Sequence, residues 1–289
     1  MAIMRWATRI RTYLSFVRVS HSVFALPFAL VGALLASRYE PLTWHRVLWI
    51  VVAMVGARSA AMAFNRLVDA RFDALNPRTS MRELPSGALS WAEASAFLAV
   101  ATGVFVYAAW QLGPMCLALS PLALAIVFWY SLAKRYTWAT QLFLGLALAV
   151  APVGGWIAAG GHMAWEPLLL ALAIGAWVAG FDILYACQDL QFDRTYGLHS
   201  IPVRYGIRTA LQISRGLHVV AVLFLGVLGV VTQLGPIYFA GVIAVGLLLA
   251  YEQSLVSIDD LSQVKRAFDL NGYVGILYLL TTGVSLYVH

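Results

Sequence analysis

Long apolar runs alternate with short polar breaks along the whole chain, and the runs have helical rather than strand length. A helix needs about 20 apolar residues to cross a hydrocarbon core. On that measure the pattern predicts nine spans, at residues 20–37, 46–65, 92–110, 114–132, 139–159, 166–188, 211–231, 236–253 and 268–288. Pro121 and Pro152 interrupt the fourth and fifth, which a membrane helix tolerates when neighbours satisfy the freed carbonyls. No soluble domain, low-complexity tract or fixed-period repeat separates the runs. Residues 1–289 are therefore expected to form one all-α transmembrane domain.

Composition turns this pattern into a class. Hydrophobic residues make up 62% of the chain and charged residues 11%. Soluble domains carry about 25% charged residues. So few charges do not cover a water-facing surface, and lipid must solvate most of the exterior.

The net charge of +6 does not point to nucleic acid, because the basic residues sit in the breaks between apolar runs. Arg5, Arg9, Arg11 and Arg18 precede the first span, and Arg66, Arg71, Arg78 and Arg82 follow the second. Lys134 and Arg135 follow the fourth; Arg194, Arg204, Arg208 and Arg215 the sixth; Lys265 and Arg266 the eighth. The opposite side has only Arg38 and Arg46, while Arg58 lies within the second span. This bias predicts a cytoplasmic N-terminus and a cytoplasmic functional face in an inner membrane. The basic segment Met1–Arg18 leads into the first span with no small-residue cleavage pattern, so no cleaved signal is expected. Cys116 and Cys187 fall in apolar runs and read as small buried hydrophobes.

Two acidic motifs carry the candidate chemistry. In the first, Asn65, Asp69 and Asp73 recur every four residues and share one helical face. In the second, Asp182, Tyr185, Asp189 and Asp193 do the same. A lone pair of carboxylates at this spacing would read as a solvated helix end. Here five of thirteen acidic residues lie on these two faces, and Asp182 is about two turns inside an apolar run. An ionisable side chain at that depth costs about 3 kcal/mol and should face a cavity or a partner. Carboxylates with an Asn amide form an oxygen-only donor set suited to Mg²⁺, which fills its remaining positions with water and phosphate oxygens. The six His are scattered, and no Walker or GxGxxG loop occurs, so zinc and nucleotide sites are not indicated.

Arg78 and Arg82 stand four apart just after the first motif, and Lys134 and Arg135 follow Tyr130 at the end of span four. Arginines among carboxylates are either ion pairs or a grip for a diphosphate whose charge Mg²⁺ neutralises. Arg58 lies seven residues before Asn65, as Asp182 does before Asp189, so the two are expected at similar depth. They suit a buried ion pair, or Arg58 receives the carboxylate of an aromatic acid through a bidentate fork.

These features together resemble the UbiA family of intramembrane aromatic prenyltransferases over essentially the whole chain. The resemblance rests on nine spans, Asn65 through Asp73 followed by Asn76-Pro-Arg-Thr-Ser-Met-Arg-Glu-Leu-Pro-Ser-Gly87, Asp182 through Asp193, and Tyr130-Ser-Leu-Ala-Lys-Arg135. It implies a bundle around a central cavity open to the cytoplasmic side and to lipid, where a polyprenyl diphosphate is ionised with Mg²⁺ and alkylates a small aromatic acid. It implies that Asn65, Asp69 and Asp73 serve one Mg²⁺ and Asp189 and Asp193 another. Arg78, Arg82 and Lys134 would hold the diphosphate, with Arg18 approaching from span one. Asp182, Tyr185 and Tyr130 would line the chamber. Arg66 departs from the family motif, which usually has Asp there. The wording around Gly197-Leu-His-Ser-Ile-Pro-Val-Arg-Tyr-Gly206 is similar to the 4-hydroxybenzoate branch in quinone synthesis, with a naphthoate acceptor for menaquinone as the alternative. An ion-coupled transporter is the remote rival, opposed by the gathering of charge at one face.

Overall fold

The computed structural model describes residues 9, 11–18 and 25–288, and every regular element among them is helical. A helical segment at residues 11–16 precedes ten α-helices. They are α1 (Leu26–Ala36), α2 (Trp44–Leu75), α3 (Trp91–Leu112), α4 (Pro114–Ala133), α5 (Thr140–Ala158), α6 (Glu166–Ala186), α7 (Leu190–Thr195), α8 (Ile201–Val231), α9 (Pro236–Ser254) and α10 (Val264–Tyr287). One 3-10 turn, Cys187–Asp189, joins α6 to α7.

Local chemistry sets the helix starts. Proline opens the first turn of α1, α4, α6, α8 and α9, where its missing N–H would have had no helical partner. At α3 the Ser90 side chain and Glu93 form a reciprocal capping box. Both interior prolines, Pro121 and Pro152, lie within continuous helices, as the sequence pattern predicts.

Seven helices are long and apolar enough to cross a membrane, counting Glu166–Thr195 as one, so the chain is a multi-pass membrane protein. The expected first span corresponds to the 11-residue α1, while its residues 20–24 lie outside the described residues. The expected ninth corresponds to α10, 24 residues long, whose first turns carry Lys265, Arg266 and Asp269 and are not purely apolar. Two boundaries differ in a way that matters. Helix α2 runs 32 residues to Leu75 without a break, so the first motif lies on one rigid rod. Helix α8 begins ten residues before the expected start, because Ser200 caps it, and it breaks at Gly206 (φ 77, ψ 165).

Small residues allow the central helices to touch backbone to backbone. A Cβ on Gly32 of α1 would strike the Pro152 carbonyl of α5, and one on Gly155 of α5 would strike the Ala29 carbonyl. Ten residues earlier, a Cβ on Gly145 would strike the Gly175 carbonyl of α6. Helix α5 is thus wedged between α1 and α6. The far half is tied by buried polar bonds: Trp177 Nε1 donates to Asn271 Oδ1 (2.7 Å), and Asn271 Nδ2 donates to Glu252 Oε1 (3.0 Å). Ser214 Oγ donates to the Gly180 carbonyl (2.7 Å) and accepts from Gln253 Nε2 (2.7 Å). On the lipid side, Val219, Leu223, Val227 and Val230 of α8 are exposed in one stripe.

The two arginines counted on the opposite side, Arg38 and Arg46, both close helix ends. Arg38 Nη1 donates to the Thr232 carbonyl after α8, and Arg46 Nη1 to the Ala159 carbonyl after α5, each at 2.6 Å. A cation at a helix C-terminus satisfies orphan carbonyls and the negative end of the helix dipole.

Gly155→Ala is expected to lower stability in detergent by about 1–3 kcal/mol, the usual range for overpacking. Gly154→Ala, where a Cβ meets nothing within 4 Å, should leave the melting temperature nearly unchanged. Equal melting temperatures for the two variants would remove the close α1–α5 contact as the reason for glycine at 155.

Candidate active site

One cavity of about 750 Å³ lies among α1 to α6 and the start of α10. Every site residue singled out in the sequence lines it: Asn65, Asp69 and Asp73 from α2; Asp182, Tyr185, Asp189 and Asp193 from α6 to α7; Tyr130 and Lys134 at the end of α4; and Arg18, Arg58, Arg78 and Arg82. The 3-10 turn at Cys187–Asp189 tightens the helix within the second motif, yet Asp182, Asp189 and Asp193 still face one space. Most of the remaining wall is apolar, including Phe105, Ile126, Val127, Leu148, Phe181 and Phe268, with Arg66, Asn76 and Thr79 adding polar groups at the charged end.

Three of the carboxylates, Asp69, Asp73 and Asp189, are already paired with cations. Asp69 lies 2.8 Å from Lys134 Nζ and 2.8 Å from Arg135 Nη2, and its Oδ2 accepts from Asn65 Nδ2 at 3.1 Å. Arg82 Nη1 reaches both oxygens of Asp73, at 2.7 and 2.8 Å. Arg78 grips Asp189 with a fork, Nε to Oδ1 at 3.2 Å and Nη2 to Oδ2 at 2.6 Å, while its Nη1 donates to the Tyr185 hydroxyl at 2.7 Å. Burial works to lower the pKa of Arg78, which lies in the connection after α2, but Asp189 and Tyr185 reverse this and the net effect is a rise. Asp69 and Asp73 are almost enclosed, so these pairs sit in poorly hydrated surroundings where the attraction is strong.

Arg135 stands beside Lys134 in the sequence, which gives it no role of its own. It donates to Asp69 Oδ1 and to the Val68 carbonyl (2.7 Å) and stacks over Phe72 at 5.4 Å. Its place beside Lys134 was the available signal. Arg58 and Asp182 do not meet as the matching intervals suggested: among the described residues no ion pair joins them. Arg58 instead has Tyr130 and Arg18 as its electrostatic neighbours, and its Nε is buried with no hydrogen-bond partner. Equal sequence intervals set equal depth, but not the direction in which the side chains leave their helices. Cys187 is buried and Cys116 half-buried, both free, as the apolar context suggests.

The donor set fits Mg²⁺ by its chemistry. All candidate ligands offer oxygen, and Asp69, Asp73 and Asp189 already hold cations at bonding distance. Among the described residues no three acidic, His or Cys side chains gather into a closed cage. Such a site would depend on further oxygens from water or substrate.

Comparison with known proteins is consistent along the chain. The UbiA prenyltransferase family model matches residues 25–278. The 4-hydroxybenzoate octaprenyltransferase of Vibrio vulnificus is 31% identical over 84% of this chain and 86% of its own. A UbiA homolog from Aeropyrum pernix K1, solved in the apo state, is 37% identical with a TM-score of 0.84, covering 91% of this chain and 96% of the other. A UbiA homolog from Archaeoglobus fulgidus, solved with GPP and Mg²⁺, shares the fold at 19% identity and a TM-score of 0.76, covering 96% of this chain and 100% of the other. With a family model spanning most of its length and a relative above 30% identity, the chain belongs to the UbiA prenyltransferase family.

Proposed function

We propose that this prenyltransferase moves a polyprenyl group from a polyprenyl diphosphate to an aromatic acid, with 4-hydroxybenzoate as acceptor, in quinone synthesis. The observation that carries the reading is a single cavity combining two carboxylate sets, a ring of cations and an apolar wall. The solved relative with GPP and Mg²⁺ supports the donor, and the named octaprenyltransferase supports the acceptor. The chain acts as one unit crossing an inner membrane nine times, with the charged end of the cavity toward the cytoplasm and its apolar flank open to lipid.

Asn65, Asp69 and Asp73 would hold one Mg²⁺, and Asp189 and Asp193 a second. The bound ions would neutralise the diphosphate oxygens as the allylic C–O bond breaks. Arg78, Arg82, Lys134 and Arg18 take the remaining phosphate oxygens, so the charge that develops on the leaving group meets fixed donors. The Tyr130 and Tyr185 rings face the allylic cation, and the apolar wall keeps water from it. Arg58 receives the acceptor carboxylate, since its buried Nε has no other partner. Asp182 and Asp193 are the cavity carboxylates left without a cation among the described ion pairs; with Asp193 assigned to the metal, Asp182 takes the ring proton lost when aromaticity returns. A naphthoate acid presents the same carboxylate and an electron-rich ring, and an acceptor panel separates the two.

Asp69→Asn and Asp189→Asn are expected to cut turnover by at least about a hundredfold, the scale of losing one preorganised electrostatic contact. Folded yield should stay close to wild type. Full activity in excess EDTA would exclude the metal reading, and substrate flux in proteoliposomes without diphosphate release would favour a carrier.

Arg58→Ala should raise the acceptor KM by about tenfold or more, the equivalent of at least 1.4 kcal/mol, with little change in prenyl diphosphate affinity. Equal loss of both affinities would make Arg58 part of the scaffold.

A further inference from the structure

Arg18 differs from the other cations of the cavity in how it is held. It follows the helical segment 11–16, and its own backbone is in the left-handed region (φ 46) while its residue lines the cavity. A side-chain-bearing residue in that conformation costs about 1–2 kcal/mol, so its surroundings must impose it. The charges near Arg66 include Arg18 and Arg82, which repel it, and Glu83 and Asp73, which attract it. Among the described residues no ion pair holds Arg18 in place. Its backbone does.

Two bonds fix that backbone. Arg66 Nε donates to the carbonyl of Phe16 (3.4 Å), at the end of the helical segment where carbonyls lack helical partners. Ser15 Oγ donates to Glu83 Oε1 (2.6 Å), and Glu83 Oε2 is buried with no hydrogen-bond partner. The packing agrees, since Phe16 is fully buried and Tyr13 stacks on Phe97 of α3 at 5.6 Å. Arg66 adjoins Asn65 on the first motif helix, and Glu83 adjoins Arg82. Each strut thus grows from beside a candidate ligand and ends on the segment that carries Arg18. Arg66 is itself only 3% exposed, so its place is a built contact and not a surface accident. An acidic side chain at 66 would repel the Phe16 carbonyl that Arg66 now binds.

We propose that Arg66 and Glu83 are positioning residues that set Arg18 on the diphosphate, making the N-terminal segment part of the donor site. The proposal rests on the diphosphate reading above. Its test uses the full chain in detergent with geranyl diphosphate, Mg²⁺ and 4-hydroxybenzoate, reading KM for each substrate and calorimetric binding of Mg²⁺ with inorganic diphosphate. Arg18→Ala and Arg66→Leu should each raise the donor KM and the diphosphate Kd about tenfold, or about 1.4 kcal/mol. The acceptor KM should stay within about twofold, the ordinary scatter for an uncoupled site. The double variant should be no worse than Arg18→Ala alone, because residues acting through one contact are not additive. Arg66→Lys, which can still donate to the carbonyl, should recover part of the loss. Glu83→Gln, nearly the same in shape, should raise the donor KM in the same direction if Arg66→Leu does not fold. Multiplicative effects in the double variant, or equal loss of donor and acceptor affinity, overturn the positioning role. Arg82→Ala separates the failures. If it leaves diphosphate binding intact, the diphosphate reading falls; if it weakens binding while Arg18→Ala does not, only the positioning role falls.

Discussion

The pairing of Asp69 with Lys134 and Arg135 is the contact around which the charged end of the cavity is arranged. A carboxylate this enclosed loses most of its hydration, and breaking such a pair strands an uncompensated charge at a cost of about 3–5 kcal/mol. The pair also joins elements far apart in sequence, because Asp69 sits in the last two turns of α2 and its partners close α4. Arg82 on Asp73 and Arg78 on Asp189 repeat the arrangement, folding the connection after α2 back over the cavity and across to the second motif. Three sets of charges therefore close one end of a space whose other walls are apolar.

That closure needs rigid walls, and the fold supplies them by two different means. Around α5, glycines let carbonyls of α1 and α6 approach to within contact, so dispersion between backbones holds the helices where lipid offers no hydrophobic drive. In the half built from α6, α8, α9 and α10, buried Trp177, Asn271, Glu252, Gln253 and Ser214 bond across helices instead. Trp177 also packs on Phe181, which packs on Phe268, and both phenylalanines face the cavity. The polar network thus stands directly behind the aromatic wall.

Much of this was legible in the sequence because lipid leaves few ways to place a charge. Hydropathy located the helices, and the four-residue spacing put Asn65, Asp69 and Asp73 on a common face that the structure turns to the cavity. What was illegible depends on side-chain direction and on contacts between distant segments. Arg58 and Asp182 lie at matching intervals from their motifs, yet Arg58 faces Tyr130 and Arg18. Arg135 stood beside Lys134 near the motifs, but nothing in the sequence said which carboxylate it meets, and the fold sets it on Asp69. The departure at Arg66 was visible as an oddity, but its bond to the Phe16 carbonyl spans fifty positions and no local pattern encodes it. Hydropathy alone ends the second span at residue 65, but the four-residue spacing of the motif already carried the helix to Asp73, close to its observed end at Leu75.

The pairing also bears on how such a site admits a highly charged substrate. Arginines and carboxylates left bare in a lipid-flanked cavity would each carry a large desolvation cost. Here Asp69, Asp73 and Asp189 are held by Lys134, Arg135, Arg82 and Arg78 at 2.6–3.2 Å, so both signs are in place before any ligand arrives. On the proposed reading, a magnesium diphosphate brings cations for the carboxylates and anions for the arginines in one body. Its entry exchanges partners without exposing any group, which keeps the reorganisation small. Preorganised charges of this kind stabilise a developing anion more than flexible ones do, because their ordering is complete before the bond breaks.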